Sequence, residues 1–108
     1  MFYQHDDRGY RSIAAGIQVK TLTYGEKTLS VEFRLQAAST LPRHAHPHEQ
    51  NGYLVSGRVR LAVGADVLET TAGDAWCIPG NVEHGAEVLE DSVAVEIFSP
   101  VREDYLPS

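Results

Sequence analysis

Apolar and polar residues alternate along much of the chain. Leu29, Val31, Phe33 and Leu35 are interleaved with Ser30, Glu32, Arg34 and Gln36, and Val59, Leu61 and Val63 repeat the pattern after Arg58. A period of two sends one set of side chains to one face of an extended chain, so both stretches read as half-buried strands. Turn-forming groups recur at short intervals: Tyr24-Gly25, Ser56-Gly57, Gly64-Ala65-Asp66, Ala72-Gly73-Asp74, Pro79-Gly80-Asn81 and Glu90-Asp91. No segment carries the helical period over a useful length, and there is no internal repeat or linker. Short strands evenly punctuated by turns predict an all-β sandwich or barrel.

The stretch from Val93 to Phe98 departs from the simple alternation. One face carries Val93, Val95 and Ile97, the other Ala94, Glu96 and Phe98, so neither face is clearly solvated and the Glu96 carboxylate is expected to be buried. Burial raises a carboxyl pKa and a nearby cation lowers it, which makes Glu96 a candidate proton-transfer group. Its alternative is a structural ion pair with Arg34, Arg58 or Arg102.

Composition bounds the partners. A chain of 108 residues is one small domain, residues 1–108, and so short a chain gains from a second subunit, most simply as a homodimer. The formal net charge of −6 argues against nucleic acid and anionic membranes as partners. The single cysteine, Cys77, cannot form an internal disulfide, and its neighbours Trp76 and Ile78 suggest a buried, inert thiol. The start Met1-Phe2-Tyr3-Gln4-His5 has neither a basic opening nor an apolar run, and no stretch approaches the roughly 20 apolar residues of a membrane helix. The expected location is the cytoplasm.

Four of the five histidines fall in two short stretches, His44-Ala45-His46-Pro47-His48-Glu49-Gln50 and Pro79-Gly80-Asn81-Val82-Glu83-His84. Two histidines at i and i+2 on a strand point the same way, so His44 and His46 read as a pair of metal ligands. Gln50 can add a side-chain oxygen, and a neighbouring strand can bring His84 across, giving three nitrogens and one oxygen. Pro47 interrupts the ladder before His48, so His48 and Glu49 are expected to support the ligands or to lie at the surface. His5 is expected to be solvated, and Tyr53 is a candidate for the cavity wall.

The spacing His-x-His-x3-Gln-x6-Gly, ending at Gly57, followed by Gly73-x5-Pro79-x4-His84, resembles the paired motifs of the cupin family. That resemblance implies a double-stranded β-helix, a jelly-roll barrel with the metal in its lumen. Three positions differ from the usual pattern: Gln50 stands where glutamate is common, Ala38 where a glycine opens the first motif, and Val88 where an asparagine closes the second. Gly80 also sits one place early. The segment from Glu96 through Phe98 and Arg102 to Tyr105 is similar to that of the small cupins of pectin and alginate degradation, which convert a cyclic 4,5-unsaturated uronate to its open-chain keto form at a His3Gln metal shell. By that resemblance the ligands are His44, His46, Gln50 and His84, and the acid, aromatic and arginine of the site are Glu96, Phe98 and Arg102. The acid of those relatives is an aspartate, one methylene shorter than Glu96.

Three neutral imidazoles and a neutral amide leave the charge of a divalent ion uncompensated, which makes it a stronger Lewis acid and favours a small anionic substrate. Arg102 offers a forked donor for a carboxylate, and Phe98 a wall for a sugar ring. Nickel, zinc or iron suits such a shell best, and manganese or cobalt is also accommodated. The functions that follow are a metal-assisted uronate isomerase, an iron-dependent dioxygenase, or a non-catalytic module that binds a small molecule or the metal itself.

Overall fold

A computed structural model describes residues 2–107. Eight strands form in chain order: β1 (Arg11–Ala14), β2 (Ile17–Tyr24), β3 (Leu29–Leu35), β4 (Thr40–His44), β5 (Glu49–Val63), β6 (Asp66–Thr71), β7 (Ala75–Ile78) and β8 (His84–Ser99). A single 3-10 turn, Glu103–Tyr105, follows. Every pairing is antiparallel, in the order β1-β2-β3-β8-β5-β6, with β4 added to β8 and β7 to β5. The result is the expected jelly-roll barrel. Among the described residues no helix is long and apolar enough to cross a membrane.

The two long strands organise the barrel. β5 and β8 pair from Glu49↔Ser99 to Val63↔His84 and slip register three times between Leu54 and Val59. Before the slip β5 pairs with β7 and after it with β6, while β8 pairs first with β4 and then with β3. One bent ribbon therefore serves two sheets, and the lumen lies between them.

This bend is where the turn expectations fail. Ser56-Gly57 and Glu90-Asp91 do not turn the chain; they are the facing halves of the irregularity within β5 and β8. Gly57 has φ +94°, and a β-carbon there would lie 2.1 Å from Ser92 Oγ and 2.4 Å from the Asp91 carbonyl oxygen. The buried Ser92 hydroxyl fills the gap in the ladder, accepting from Arg58 N at 3.1 Å and donating to the Glu90 carbonyl at 2.7 Å. A local signal for a turn was correct about backbone conformation and wrong about direction, because a bulge needs the same left-handed glycine.

The alternating segments behave as read. Leu29, Val31, Phe33 and Leu35 are buried while the residues between them are half-buried, and they pack with Ile17, Val19, Leu54, Val59 and Phe98 in one core. Parity also corrects two expectations. Cys77 lies between inward-facing Trp76 and Ile78, so its thiol points outward and is exposed. Tyr53 is three residues from inward-facing Gln50, so it lies on the outer face at 49% exposure and does not line the cavity.

Ala38, at the position where related motifs carry glycine, adopts φ +70°. Its N–H donates to the Val88 carbonyl at 2.8 Å, so two of the positions that differ from the usual pattern meet across one turn. Left-handed backbone strains alanine but not glycine. Ala38→Gly is expected to stabilise the protein by about 0.5–1 kcal/mol, whereas Gly57→Ala is expected to cost about 2 kcal/mol or more and lower the melting temperature by roughly 10 °C. Thermal melts of the two variants check both signs.

Candidate metal centre

Three elements bring the histidines together. His44 ends β4 and His84 begins β8, where the two residues are paired in register. His46 lies in the loop between β4 and β5, not on a strand as its spacing suggested, and reaches the same place because the loop folds back. That loop is tied to the one carrying the second motif: Asn81 N donates to the His46 carbonyl at 2.7 Å. A β-carbon on Gly80 would lie 2.4 Å from the Pro47 carbonyl oxygen, so the glycine permits the approach. Ring centroids are 4.3 Å apart for His44 and His84, 4.8 Å for His46 and His84, and 5.7 Å for His44 and His46.

Each imidazole is oriented by a backbone carbonyl. Nδ1 of His44, His46 and His84 lies 2.9, 3.1 and 2.9 Å from the carbonyl oxygens of Pro42, His48 and Val82. A carbonyl only accepts, so each Nδ1 carries the proton and each Nε2 presents a lone pair. The three ligand atoms lie within 4.8 Å of one another. Nε2 of His84 is buried with no protein donor, an arrangement that costs free energy unless something electropositive meets it. Nε2 of His46 sits 3.1 Å from Gln50 Oε1, two lone-pair atoms facing each other. Orphaned and opposed acceptors converging on one point are the donor set that a divalent cation satisfies, and the residues present fit such an ion. Desolvation is the main reason that the pKa of both His46 and His84 is lowered, with Arg102 adding to it, which keeps both rings neutral and available as ligands.

His48 contributes through its backbone. Its carbonyl orients His46, and its half-buried ring lies 5.4 Å from that of His46. His5 is exposed near Asp7, as expected of a solvated group.

The cavity beside the histidines has a volume of about 80 Å³. His44, Gln50, His84, Glu96, Phe98 and Arg102 line it, and Phe33, Leu35, Leu41 and Leu61 supply apolar wall. Glu96 is buried as its strand pattern implied, on the same face as Ala94 and Phe98. The arginine ion pair does not form. Arg34 pairs with Asp7 and Glu32, Arg58 with Glu69 and Glu90, and Arg102 with Asp104 at 3.0 Å. The partner of Glu96 is the indole of Trp76, whose Nε1 donates to Oε1 at 2.7 Å. Burial pushes the Glu96 carboxyl up to about 8, against the opposing pull of the Trp76 hydrogen bond and the Arg102 charge.

Arg102 immediately precedes the 3-10 turn, with its guanidinium 5.1 Å from the Phe98 ring centroid and 4.4 Å from that of Tyr105. Asp104 accepts only from Nε, at 3.0 and 3.2 Å. Trp76 and Tyr105 are cavity residues that sequence reasoning passed over. Alternation within Ala75–Ile78 carried the signal for Trp76, whereas nothing local marks Tyr105, which packs against Phe33 and Phe98 from a 3-10 turn.

The raised Glu96 pKa has a stability consequence with a definite sign. Its folded value of about 8 exceeds the ordinary 4.5, so the folded state holds the proton more tightly and stability is lost as pH rises between those values, at about 1.4 kcal/mol per unit. Glu96→Gln keeps an acceptor for Trp76 and removes the charge. In metal-free protein its melting temperature should match wild type at pH 4–5 and exceed it increasingly towards pH 8.

The pattern of the cupin domain family matches residues 31–100. The pectin degradation protein KdgF of Dickeya dadantii is 26% identical over 107 residues, covering 97% of each chain. The structure of KdgF from a Halomonas species superposes with a TM-score of 0.92 at 29% identity, covering 98% of each chain. An RmlC-like cupin from Shewanella frigidimarina gives 0.92 at 28% identity, over 97% of this chain and 95% of that one. A barrel with a histidine triad at one end of its lumen, and a sequence pattern matched through its central strands, make the conclusion plain: the chain belongs to the cupin domain family.

Proposed function

We propose that the protein binds a divalent cation through His44, His46, Gln50 and His84 and opens the ring of a 4,5-unsaturated uronate, yielding the linear keto acid. The observation that carries this reading is a small cavity in which His44, Gln50 and His84, with His46 packed against His84, face a buried carboxyl and a guanidinium edge left open by Asp104. Similarity over nearly the whole chain to a protein named for pectin degradation supports the substrate class.

The reaction is an isomerisation. The anomeric hydroxyl loses a proton as the ring C–O bond breaks, the former ring oxygen becomes an enol, and protonation of the neighbouring carbon gives the ketone. Electrons and atoms balance without a redox partner. When bound, the cation supplies Lewis acidity and a site for anionic oxygens, undiminished by ligand charge. Glu96, with a pKa near neutrality, is suited to take and return the proton. The Nη atoms of Arg102, left free by Asp104, form the fork for the uronate carboxylate. Phe98 supplies a flat wall, and apolar lining excludes water from the enol.

The near-ultraviolet absorbance of an unsaturated monouronate should fall when protein is added and stay constant when the protein has been stripped with a chelator. Equal rates with and without metal would end the proposal. His46→Ala should lower bound metal in elemental analysis and turnover by at least about 100-fold. Arg102→Lys should raise KM about tenfold, because a lysine cannot reproduce the fork. Oxygen uptake in place of absorbance loss would point to the dioxygenase reading.

A further inference from the structure

We propose that Trp76 is a positioning residue for Glu96, that its indole N–H holds Oε1 so that Oε2 alone is presented to the cavity, and that Gly52 exists to leave room for this contact. The inference deepens the preceding proposal and rests on it for the identity of the reaction, although the contact stands on geometry of its own.

A glutamate side chain has three rotatable bonds, so a buried Glu96 needs a restraint to present one oxygen in a fixed direction. Trp76 supplies it at 2.7 Å from the opposite strand pairing of β5. No arginine among the described residues forms an ion pair with Glu96, and Oε2 accepts no hydrogen bond from them. The carboxyl is thereby held at one oxygen and free at the other.

Gly52 is the register neighbour of both groups, facing Trp76 on β7 and Glu96 on β8. A β-carbon at position 52 would lie 2.0 Å from Glu96 Oε1, 2.0 Å from Trp76 Nε1 and 2.1 Å from Trp76 Cε2. Any side chain there would occupy the hydrogen bond itself. Gly52 carries no left-handed backbone, so the reason for glycine is this space and not conformation.

Trp76 is the chain's one tryptophan, so nitrogen-15 NMR gives one indole N–H signal. In the wild-type protein that signal should lie downfield and exchange slowly, and it should move upfield in Glu96→Leu, where no acceptor remains, and in Gly52→Ala, where both partners remain but are pushed apart. Trp76→Phe, which keeps an aromatic ring and loses the donor, should retain bound metal and lower kcat for uronate opening about 10- to 100-fold while KM changes less than about threefold. A merely structural tryptophan would not produce that split. An indole signal at the unbonded position and unmoved by Glu96→Leu overturns the proposal whatever the substrate, and a Trp76→Phe protein with wild-type kcat overturns the positioning role. Absence of uronate turnover in wild-type protein, with the indole shift present, removes only the uronate reading and leaves the contact established.

Discussion

The antiparallel ladder between β5 and β8 holds every part of this molecule in relation to the rest. It runs from Glu49↔Ser99 to Val63↔His84, β3, β4, β6 and β7 each attach to one half of it or the other, and β2 and β1 follow on from β3. The same ladder sets Gln50 beside Phe98 and Gly52 beside Glu96, and it ends at His84. Register in a sheet is all or nothing, since a slip of one residue would turn every inward side chain outward. The bulge at Gly57 and Ser92 keeps that register while bending both strands, so a feature without chemistry of its own decides where the chemistry falls.

Electrostatics in the lumen runs against the character of the whole chain. The protein carries a formal net charge of −6, yet the cavity wall offers neutral imidazoles, an amide, one arginine and a carboxyl that burial keeps largely protonated near neutrality in the absence of metal. Three imidazoles are fixed by backbone carbonyls, and the lone pair on buried His84 Nε2 meets no protein donor. Such an arrangement is costly in a closed apolar space and becomes favourable when a cation arrives, so metal affinity and fold stability are coupled. In the proposed shell, the absence of a charged ligand leaves a field that attracts anionic oxygens.

Much of this was legible in local patterns. Period-two alternation located β3 and the second half of β5, and histidine spacing located His44, His46 and His84. The burial of Glu96 followed from a strand with no polar face. Errors came where two structures share one local signature. Ser56-Gly57 and Glu90-Asp91 fit a turn or a bulge equally, and His44-Ala45-His46 satisfied strand parity although His46 lies in a loop. Tyr53 and Cys77 face outward because strand parity, counted from inward Gln50 and from Trp76 and Ile78, turns both away from the core.

By itself the sequence determined the strand class, the buried faces and which histidines gather at one end of the lumen, because alternation and spacing act between residues that are close along the chain. Only the tertiary structure decided which groups meet Glu96. Three arginines were candidates by charge, and the partner is Trp76, brought there by β7 pairing with β5 and admitted by the missing side chain of Gly52. A contact across three strands depends on register, bend and available volume together, and none of these is a property of any one segment.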